Sequence, residues 1–248
     1  MKMDFTGQTV LVTGATRGIG KQIADDFEKL GARLLLTGTD KSQIESLRKK
    51  YSAKGRRTYY CVDFTNTQST EAFLKELRKN KKIDVCINNA GINRINPIDE
   101  TLPEDWDDML SVNLTAPYLI IREVSRIMKK NRYGRIVNIS SIFGVISKAK
   151  RSLYSATKFG LRGLTVASAI ELARYNVLVN TVSPGFVLTD LTRKNLSKVE
   201  MKELASQIPV GRFADPQEIS QIVVFISSKL NSYLTGQNII IDGGFINV

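Results

Sequence analysis

Short apolar runs alternate with longer amphipathic stretches along the whole chain. The apolar runs span five or six residues, and each is followed by a stretch with helical periodicity. Repetition of this strand–helix unit predicts a parallel sheet with helices packed on both of its faces. The predicted strands cover residues 8–13, 33–37, 57–62, 84–88, 134–139, 177–182 and 237–241. The predicted fold class is therefore α/β, with a doubly wound, seven-stranded parallel sheet.

The amphipathic stretches predict seven helices. They cover residues 19–30, 41–53, 67–79, 104–130, 154–175, 197–206 and 216–228. The helices 104–130 and 154–175 are long and rather apolar, which indicates an oligomer interface in addition to core packing. Inside the first of them, Asn113 is a poor helix former and Pro117 follows closely, so we expect a local kink there.

The composition indicates one globular domain. The chain has 248 residues, of which 42% are hydrophobic, and no low-complexity stretch divides it. We therefore expect a single domain over residues 1–248, with a substrate loop or lid at about 188–209. Both cysteines, Cys61 and Cys86, lie in strand-like apolar runs and are expected in the core rather than in a disulfide.

Several classes of function are disfavoured by the sequence. Histidine is absent, which excludes Ser-His and Cys-His nucleophile pairs and histidine-ligated metals, so no metal is expected. The N-terminus lacks a signal-peptide core and no apolar run is long enough to span a bilayer, so we expect a cytoplasmic protein without a membrane partner. The net charge of +12 favours polyanionic partners, but the basic residues are mostly scattered and no nucleic-acid motif stands out.

A glycine-rich loop follows the first predicted strand. The segment TGATRGIG contains Gly14, Gly18 and Gly20 and leads into a helix that begins near Ile19. Glycines in this setting permit a tight turn and bring a pyrophosphate onto free N–H groups at the helix N-terminus. The spacing is G-x-x-x-G-x-G and differs from the commonest dinucleotide fingerprint. The loop predicts a dinucleotide-binding Rossmann fold.

The end of the second strand bears on the choice of cofactor. Folds that bind NAD usually place an acid there for the ribose 2′-hydroxyl, whereas NADP requires a basic residue for the 2′-phosphate. Here the strand ends at Thr39 without an acid, and Arg17 in the glycine loop suits a 2′-phosphate. Asp40 follows, with Gln43 three residues later, which is typical of a helix N-cap. We favour NADP(H), and an Asp40 that bound ribose would favour NAD(H) instead.

Tyr154 and Lys158 are the candidates for proton transfer. They are four residues apart on a predicted helix and so share one face. An ammonium beside a phenol stabilises the phenolate, so we expect Lys158 to lower the pKa of Tyr154 towards a range useful for acid–base catalysis.

The motifs taken together resemble the compact, one-domain branch of the short-chain dehydrogenase/reductase family. The similarity covers nearly the whole chain: TGATRGIG, NNAG at 88–91, Asn113, SS at 140–141, YSATK at 154–158, SPG at 183–185 and IDGG near the end. The resemblance implies that Tyr154 exchanges a proton with the carbonyl oxygen, that Lys158 also binds the nicotinamide ribose, and that Asn113 holds a water in a proton relay. It implies that Ser141, thirteen residues before the tyrosine, orients the carbonyl, with Ser140 as its rival.

The resemblance also implies a set of cofactor contacts. They are Gly14, Thr16, Arg17, Gly18, Ile19, Gly20, Thr39, Asp63, Phe64, Asn89, Ala90, Gly91, Tyr154, Lys158, Pro184, Gly185, Val187 and Thr189. Two interpretations of Asp63 and Phe64 are open, an adenine contact and an ordinary helix-capping turn.

The substrate is expected to bind in loops at the carboxyl ends of the strands. The candidate residues are Arg94, Ser141, Lys148, Lys150 and Arg151. The last three form a basic cluster just before Tyr154, which indicates either an anionic substrate or a solvated loop tip.

Two substrate classes and one nonenzymatic role remain open. The overall pattern resembles 3-oxoacyl-(acyl-carrier-protein) reductases, and Arg132 falls where they place a carrier-docking residue, while Tyr175 occupies a second such position. The segment NRINPIDETLPEDWDDM is instead similar to sugar-acid dehydrogenases. By analogy we expect a homotetramer that binds a small carbonyl or alcohol substrate. The alternative is a nonenzymatic nucleotide-sensing or nucleic-acid-binding protein.

Overall fold

A seven-stranded parallel sheet forms the centre of the molecule in the computed structural model, which describes residues 3–52 and 55–247. The strands are β1 (Thr9–Val12), β2 (Arg33–Gly38), β3 (Arg57–Cys61), β4 (Val85–Asn88), β5 (Gly134–Ile139), β6 (Val177–Pro184) and β7 (Asn238–Ile241). Their order across the sheet is β3-β2-β1-β4-β5-β6-β7, and every pair is parallel. The chain order reverses between β1 and β4, where doubly wound folds bind their ligands. The predicted fold class is confirmed.

The helices cover both faces of this sheet. They are α1 (Gly18–Lys29), α2 (Lys41–Tyr51), α3 (Thr67–Arg78), α4 (Pro103–Leu110), α5 (Ala116–Asn131), α6 (Ser152–Leu172), α7 (Asp190–Asn195), α8 (Lys198–Ser206) and α9 (Pro216–Ser227). Apolar residues of α1, α2 and α9 pack in one buried cluster, and those of α3, α5 and α6 pack in another on the opposite face. Within the described residues, none of the helices combines the length and apolarity needed to cross a bilayer.

The predicted helix 104–130 is divided by a π-helical turn. This turn covers Ser111–Thr115 and joins α4 to α5. Such single-turn π segments occur frequently at functional sites. The disturbance expected at Asn113 is therefore present, as a local widening of the helix.

Other element boundaries differ modestly from the predictions. Helix α6 begins two residues before Tyr154, and the short helix α7 was not predicted. The last residue of the predicted helix 41–53 lies outside the described residues. Cys86 is buried as expected, but Cys61 is exposed because it ends the edge strand β3.

A buried polar ladder links the strands to α6. The Asn88 amide donates to Asn138 Oδ1 at 2.8 Å, and the Asn138 amide donates to Thr165 Oγ1 at 2.8 Å. Thr181 Oγ1 also donates to Thr165 Oγ1, at 2.8 Å. These side chains belong to β4, β5, α6 and β6, and all four are fully or nearly fully buried. The ladder therefore fixes the register of three strands against the helix that carries Tyr154.

Candidate active site

The glycine-rich loop ends at an uncapped helix N-terminus. Helix α1 begins at Gly18, and the preceding Arg17 is extended and makes no capping hydrogen bond through its side chain. The next residues in the first turn of the helix are Ile19 and Gly20. Backbone N–H groups at such a terminus are free to bind an anion, and the helix dipole favours negative charge there. The residues present therefore fit a pyrophosphate group.

The NNAG segment packs directly against this loop. The Asn89 amide donates to the carbonyls of Thr13 at 2.9 Å and Gly14 at 3.0 Å. A Cβ at Gly20 would overlap the Asn89 side chain, and a Cβ at Gly14 would lie 2.9 Å from the Cα of Ala90. Both positions therefore require glycine. The glycine-rich loop and the NNAG segment pack closely against each other.

The end of β2 lies beside the glycine loop. A Cβ at Gly38 would overlap the Thr16 side chain, so the two segments are in contact. Arg17 and Thr39 are both exposed there. Asp40 Oδ1 accepts hydrogen bonds from Gln43 N at 2.9 Å and from Ser42 Oγ at 2.7 Å. Asp40 is therefore the N-cap of α2, which is one of the two interpretations that the sequence left open.

The turn after β3 contains Asp63 and Phe64. Asp63 Oδ1 accepts hydrogen bonds from Thr65 N at 3.0 Å and Thr65 Oγ1 at 2.7 Å. Phe64 is buried and packs against Phe73, with ring centroids 6.1 Å apart. These contacts belong to the turn, and the adenine contact of Asp63 and Phe64 stays a prediction.

The Ser141 hydroxyl lies beside the Tyr154 phenol and lowers its pKa. Ser141 lies two residues after the end of β5, and its Oγ accepts from Phe143 N at 3.2 Å. Ser140 is engaged elsewhere, since its Oγ donates to the carbonyl of Lys158 at 3.3 Å. The structure thus places Ser141, and not its rival, at the phenol.

Lys158 is buried on the same face of α6 as Tyr154. Its Nζ lies 5.6 Å from the centroid of the Tyr154 ring and donates to the carbonyl of Ile139 at 2.9 Å. Because burial penalises the ammonium, it lowers the pKa of Lys158 to about 8.

The pKa of Tyr154 differs in direction from the sequence-based expectation. Burial raises it above the ordinary value for a phenol, while the neighbouring Ser141 hydroxyl and the charge of Arg151 act in the opposite direction. We expected Lys158 to lower this pKa, and that expectation is wrong in the present geometry. The phenolate is desolvated, and the Lys158 ammonium is directed to a backbone carbonyl rather than to the phenol.

Asn113 lies at the centre of the π-helical turn and is fully buried. Its Oδ1 accepts from Ile92 N at 2.9 Å, and its Nδ2 donates to the Ile92 carbonyl at 2.9 Å and to Thr157 Oγ1 at 3.2 Å. A Cβ at Gly91 would lie 3.4 Å from Asn113 Oδ1 and 3.6 Å from Lys158 Nζ. Asn113, Lys158 and Gly91 therefore meet at one point.

The segment after β6 closes the other side of the site. A Cβ at Gly185, next to Pro184, would lie 2.8 Å from the Cα of Asp242. A Cβ at Gly18, in the glycine-rich loop, would lie 3.4 Å from Thr189 Cγ2. Val187 is buried and pairs with Ala214 through an isolated β-bridge. The start of the expected substrate loop thus contacts the glycine loop.

The substrate candidates differ in their surroundings. Arg94 Nε forms an ion pair with Asp105 at 3.1 Å, so its charge is already compensated. Lys148 and Lys150 are exposed, whereas Arg151 is half-buried. The guanidinium carbon of Arg151 lies 5.1 Å from the centroid of the Phe143 ring. No pattern in the sequence pointed to Phe143 or to Thr157, whose contacts arise only from the tertiary fold.

A comparison with family models decides the assignment. The model described as enoyl-(acyl carrier protein) reductase matches residues 14–246, which is nearly the whole chain. The chain belongs to the short-chain dehydrogenase/reductase family. It is therefore an oxidoreductase that uses a nicotinamide cofactor.

Curated relatives and solved structures indicate two neighbouring groups of this family. The chain is 39% identical to a 3-oxoacyl-(acyl-carrier-protein) reductase of Aquifex aeolicus, over 98% of this chain and 99% of the relative. It is 35% identical to the reductase of that name in Escherichia coli, over 99% of this chain and all of the relative.

Among solved structures, a putative gluconate dehydrogenase of Agrobacterium tumefaciens superimposes with a TM-score of 0.91 at 32% identity, over 99% of this chain and 98% of the other. A gluconate 5-dehydrogenase of Burkholderia cenocepacia, in complex with NADP and tartrate, gives a TM-score of 0.90 at 27% identity, over 99% of this chain and 97% of the other.

Proposed function

We propose that the protein interconverts a ketone and a secondary alcohol, with Tyr154 as the general acid in reduction and the general base in oxidation. The observation that carries this proposal is that Ser141, Tyr154 and Lys158 lie together, with Lys158 Nζ buried on the same helix face and 5.6 Å from the centroid of the Tyr154 ring. Because phenols are weak acids, the raised pKa of Tyr154 keeps the hydroxyl protonated at neutral pH. This is the state that donates a proton to a carbonyl oxygen.

The chain's own residues divide the remaining tasks. The nicotinamide, when bound, supplies or accepts the hydride. Ser141 orients the carbonyl oxygen towards the Tyr154 hydroxyl and donates a hydrogen bond to it. The Lys158 ammonium lies near the Tyr154 ring. Asn113 Oδ1 and Lys158 Nζ both lie close to Gly91, and these polar groups line the route by which Tyr154 regains a proton after it has donated one.

NADP(H) is the proposed cofactor. Capping of α2 commits the Asp40 carboxylate to Gln43 and Ser42, so it does not serve the ribose hydroxyls that NAD presents. Arg17 is exposed at the N-terminus of α1, where a guanidinium suits a 2′-phosphate. NADP also appears in the structures of the Burkholderia gluconate 5-dehydrogenase and of ElxO.

A carrier-bound 3-oxoacyl thioester is the first candidate substrate. The curated relatives support it, and so does a basic cluster around the Tyr175 ring. Lys129 Nζ lies 5.5 Å from the ring centroid, Arg132 Cζ 5.6 Å and Arg174 Cζ 5.0 Å. Three cations around one partly buried ring suit an acidic carrier surface.

A sugar acid is the second candidate substrate. The structural neighbours named as gluconate dehydrogenases support it. Lys148, Lys150 and Arg151 add positive charge beside Tyr154, which would attract the carboxylate of such a substrate.

A homotetramer is the proposed assembly. Helices α5 and α6 expose apolar side chains that a monomer would leave in water, and these residues are Tyr118, Phe159, Val166 and Ile170. Size-exclusion chromatography with light scattering tests this directly.

Oxidation of NADPH and NADH, followed by absorbance with a panel of ketones, tests the proposed function. The panel starts with acetoacetyl thioesters and keto sugar acids, which separates the two substrate classes. We expect Tyr154→Phe to abolish turnover while NADPH still binds, and Tyr118→Phe, a matched change at an exposed tyrosine, to retain it. Retained activity in Tyr154→Phe would refute the acid–base role.

A further inference from the structure

Arg151 is placed at the catalytic tyrosine by an aromatic side chain. It directly precedes α6, three residues before Tyr154. Its guanidinium lies over the Phe143 ring at 5.1 Å from the centroid. The Phe143 ring in turn meets the Tyr154 ring edge to face, with centroids 6.4 Å apart. A single ring therefore separates the cation from the catalytic phenol.

The Arg151 side chain has no polar partner among the described residues. Its Nε is buried without a hydrogen-bond acceptor, and the guanidinium forms no ion pair. Arg57 and Arg135 do have polar partners for their guanidinium groups, although Arg135 Nε, like Arg151 Nε, is buried without an acceptor. Arg57 binds the carboxylates of Asp25 and Glu28, and Arg135 donates to backbone carbonyls of Gly134, Asn176 and Asn231.

Leaving this cation unpaired costs free energy. Burial lowers the pKa of the Arg151 guanidinium, which shows that its surroundings disfavour the charge. A buried charge is normally paired or hydrogen-bonded, and an unpaired one is compensated elsewhere. Beside an active site, the ligand is the natural source of the compensating charge.

The position of Arg151 suits it to bind a carboxylate. Its guanidinium carbon lies 5.1 Å from the Phe143 ring centroid, which is within the range of a cation–π interaction. The N–H groups point outward in the guanidinium plane, where they match the two oxygens of a carboxylate. Lys148 Nζ also lies over the Phe143 ring, 6.0 Å from its centroid, but Lys148 and Lys150 are both exposed, so their charges act mainly through solvent.

We propose that Arg151 is the specificity-determining residue of the substrate site and binds the carboxylate of an oxo acid whose ketone lies at Tyr154. This inference rests on the proposed function and names the substrate class of that same site. Because one ring separates the guanidinium from the phenol, the carboxylate and the ketone of the substrate are separated by a few bonds. Carrier-bound thioesters have no carboxylate at that position.

The test uses substrates that differ only in this charge. The probes are 5-oxohexanoate and its methyl ester, with acetoacetyl-coenzyme A as the thioester. For Arg151→Gln we expect the KM of the acid to rise about tenfold or more, which corresponds to about 1.4 kcal/mol, while that of the ester and the thioester changes less than about twofold. Lys229→Gln, which removes an exposed charge just after α9, should change all three less than about twofold. Arg151→Lys should recover part of the loss.

Two kinetic outcomes would overturn the inference. Equal loss of kcat for acid, ester and thioester in Arg151→Gln would show that the cation acts on Tyr154 and not on the substrate. An unchanged KM for the acid would show that Arg151 does not bind it.

A binding measurement separates this inference from the proposed function. The acid and the ester are titrated into the protein, and the shift in Tm is recorded without turnover. We expect the acid alone to raise Tm, and Arg151→Gln to remove that rise. If the acid does not raise the Tm of the unaltered protein, the inference fails even where ketones are reduced. If the acid binds through Arg151 but no ketone oxidises NADPH, the proposed function fails and the inference stands.

Discussion

The Ser141 hydroxyl lies beside the Tyr154 phenol, and it lowers the pKa of the phenol against the opposing effect of burial. Ser141→Ala should therefore raise the Tyr154 pKa further and shift the pH profile of alcohol oxidation upward, because oxidation requires the phenolate. Loss of one donor at the reacting oxygen should also reduce kcat by about 10²–10³-fold. Ser140→Ala is the matched control, since Ser140 bonds the Lys158 carbonyl, and its kcat should change far less. Similar losses in both variants would contradict the assignment.

Lys158 should make the stability of the protein depend on alkaline pH. Its pKa is lowered to about 8, whereas in the unfolded chain it returns to its ordinary, higher value. Between these values the unfolded state binds more protons, so stability rises with pH in that window. Urea unfolding at pH ~7.5 and ~9.5 should show this gain in the native sequence, and Lys158→Met should lack it. A slope that survives in Lys158→Met would assign it to another group.

Arg17 should control the cofactor preference. Arg17→Ala is expected to raise the KM for NADPH about tenfold or more and to leave the KM for NADH within about twofold, because only NADPH carries the 2′-phosphate. The control is Arg33→Ala, which removes an exposed charge at the amino end of β2. Arg17 lies beyond the opposite, carboxyl ends of the strands. Parallel changes for both cofactors would refute the assignment of Arg17.

Glu123 should confer stability that is lost in acid. This buried carboxylate contacts Arg78 at 3.1 Å, Arg122 at 3.0 Å and Arg126 at 3.0 Å, and the arginines lower its pKa to about 2. A depressed folded-state pKa gives stability that is present above the ordinary value and lost as the pH falls towards about 2. Tm measured against pH should therefore fall less steeply in acid for Glu123→Gln. Glu71→Gln, which weakens an exposed pair with Arg78, should retain the native profile.

Gly20 should tolerate no side chain. Because a Cβ there would overlap Asn89, Gly20→Ala is expected to destabilise the fold by about 1–3 kcal/mol and to weaken NADPH binding. Gly163, inside α6, has no atom within 4 Å of an added Cβ. Gly163→Ala should accordingly stabilise the protein by about 0.5–1 kcal/mol, and equal effects in the two variants would contradict the steric argument.

The sequence predicted the features that depend on local pattern and chain order. Periodicity placed all seven strands within two residues of their bounds, because strands buried on both faces are continuous apolar runs. Asn113 and Pro117 indicated a disturbed helix, and the π-helical turn is its physical form. The N-cap at Asp40 followed from the spacing to Gln43.

Features that depend on tertiary packing were not predictable. The pKa of Tyr154 depends on desolvation and on which acceptor Lys158 finds, and neither appears in the helical spacing of the two residues. Sequence pattern does not distinguish Arg94 from Arg151. In the structure, Arg94 forms an ion pair with Asp105, whereas Arg151 lies over the Phe143 ring. Cys61 lies in an apolar run, but its strand is at the sheet edge.

The buried ladder of Asn88, Asn138, Thr165 and Thr181 has a consequence for how the molecule assembles. Each of these polar groups finds its partner on another element, and the partners are far apart in the chain. A sheet lacking β6 or α6 would bury amides and hydroxyls without partners, and such groups are costly. Folding intermediates that contain only part of this half of the sheet are therefore destabilised. The strands around Tyr154 should appear together in one cooperative folding step.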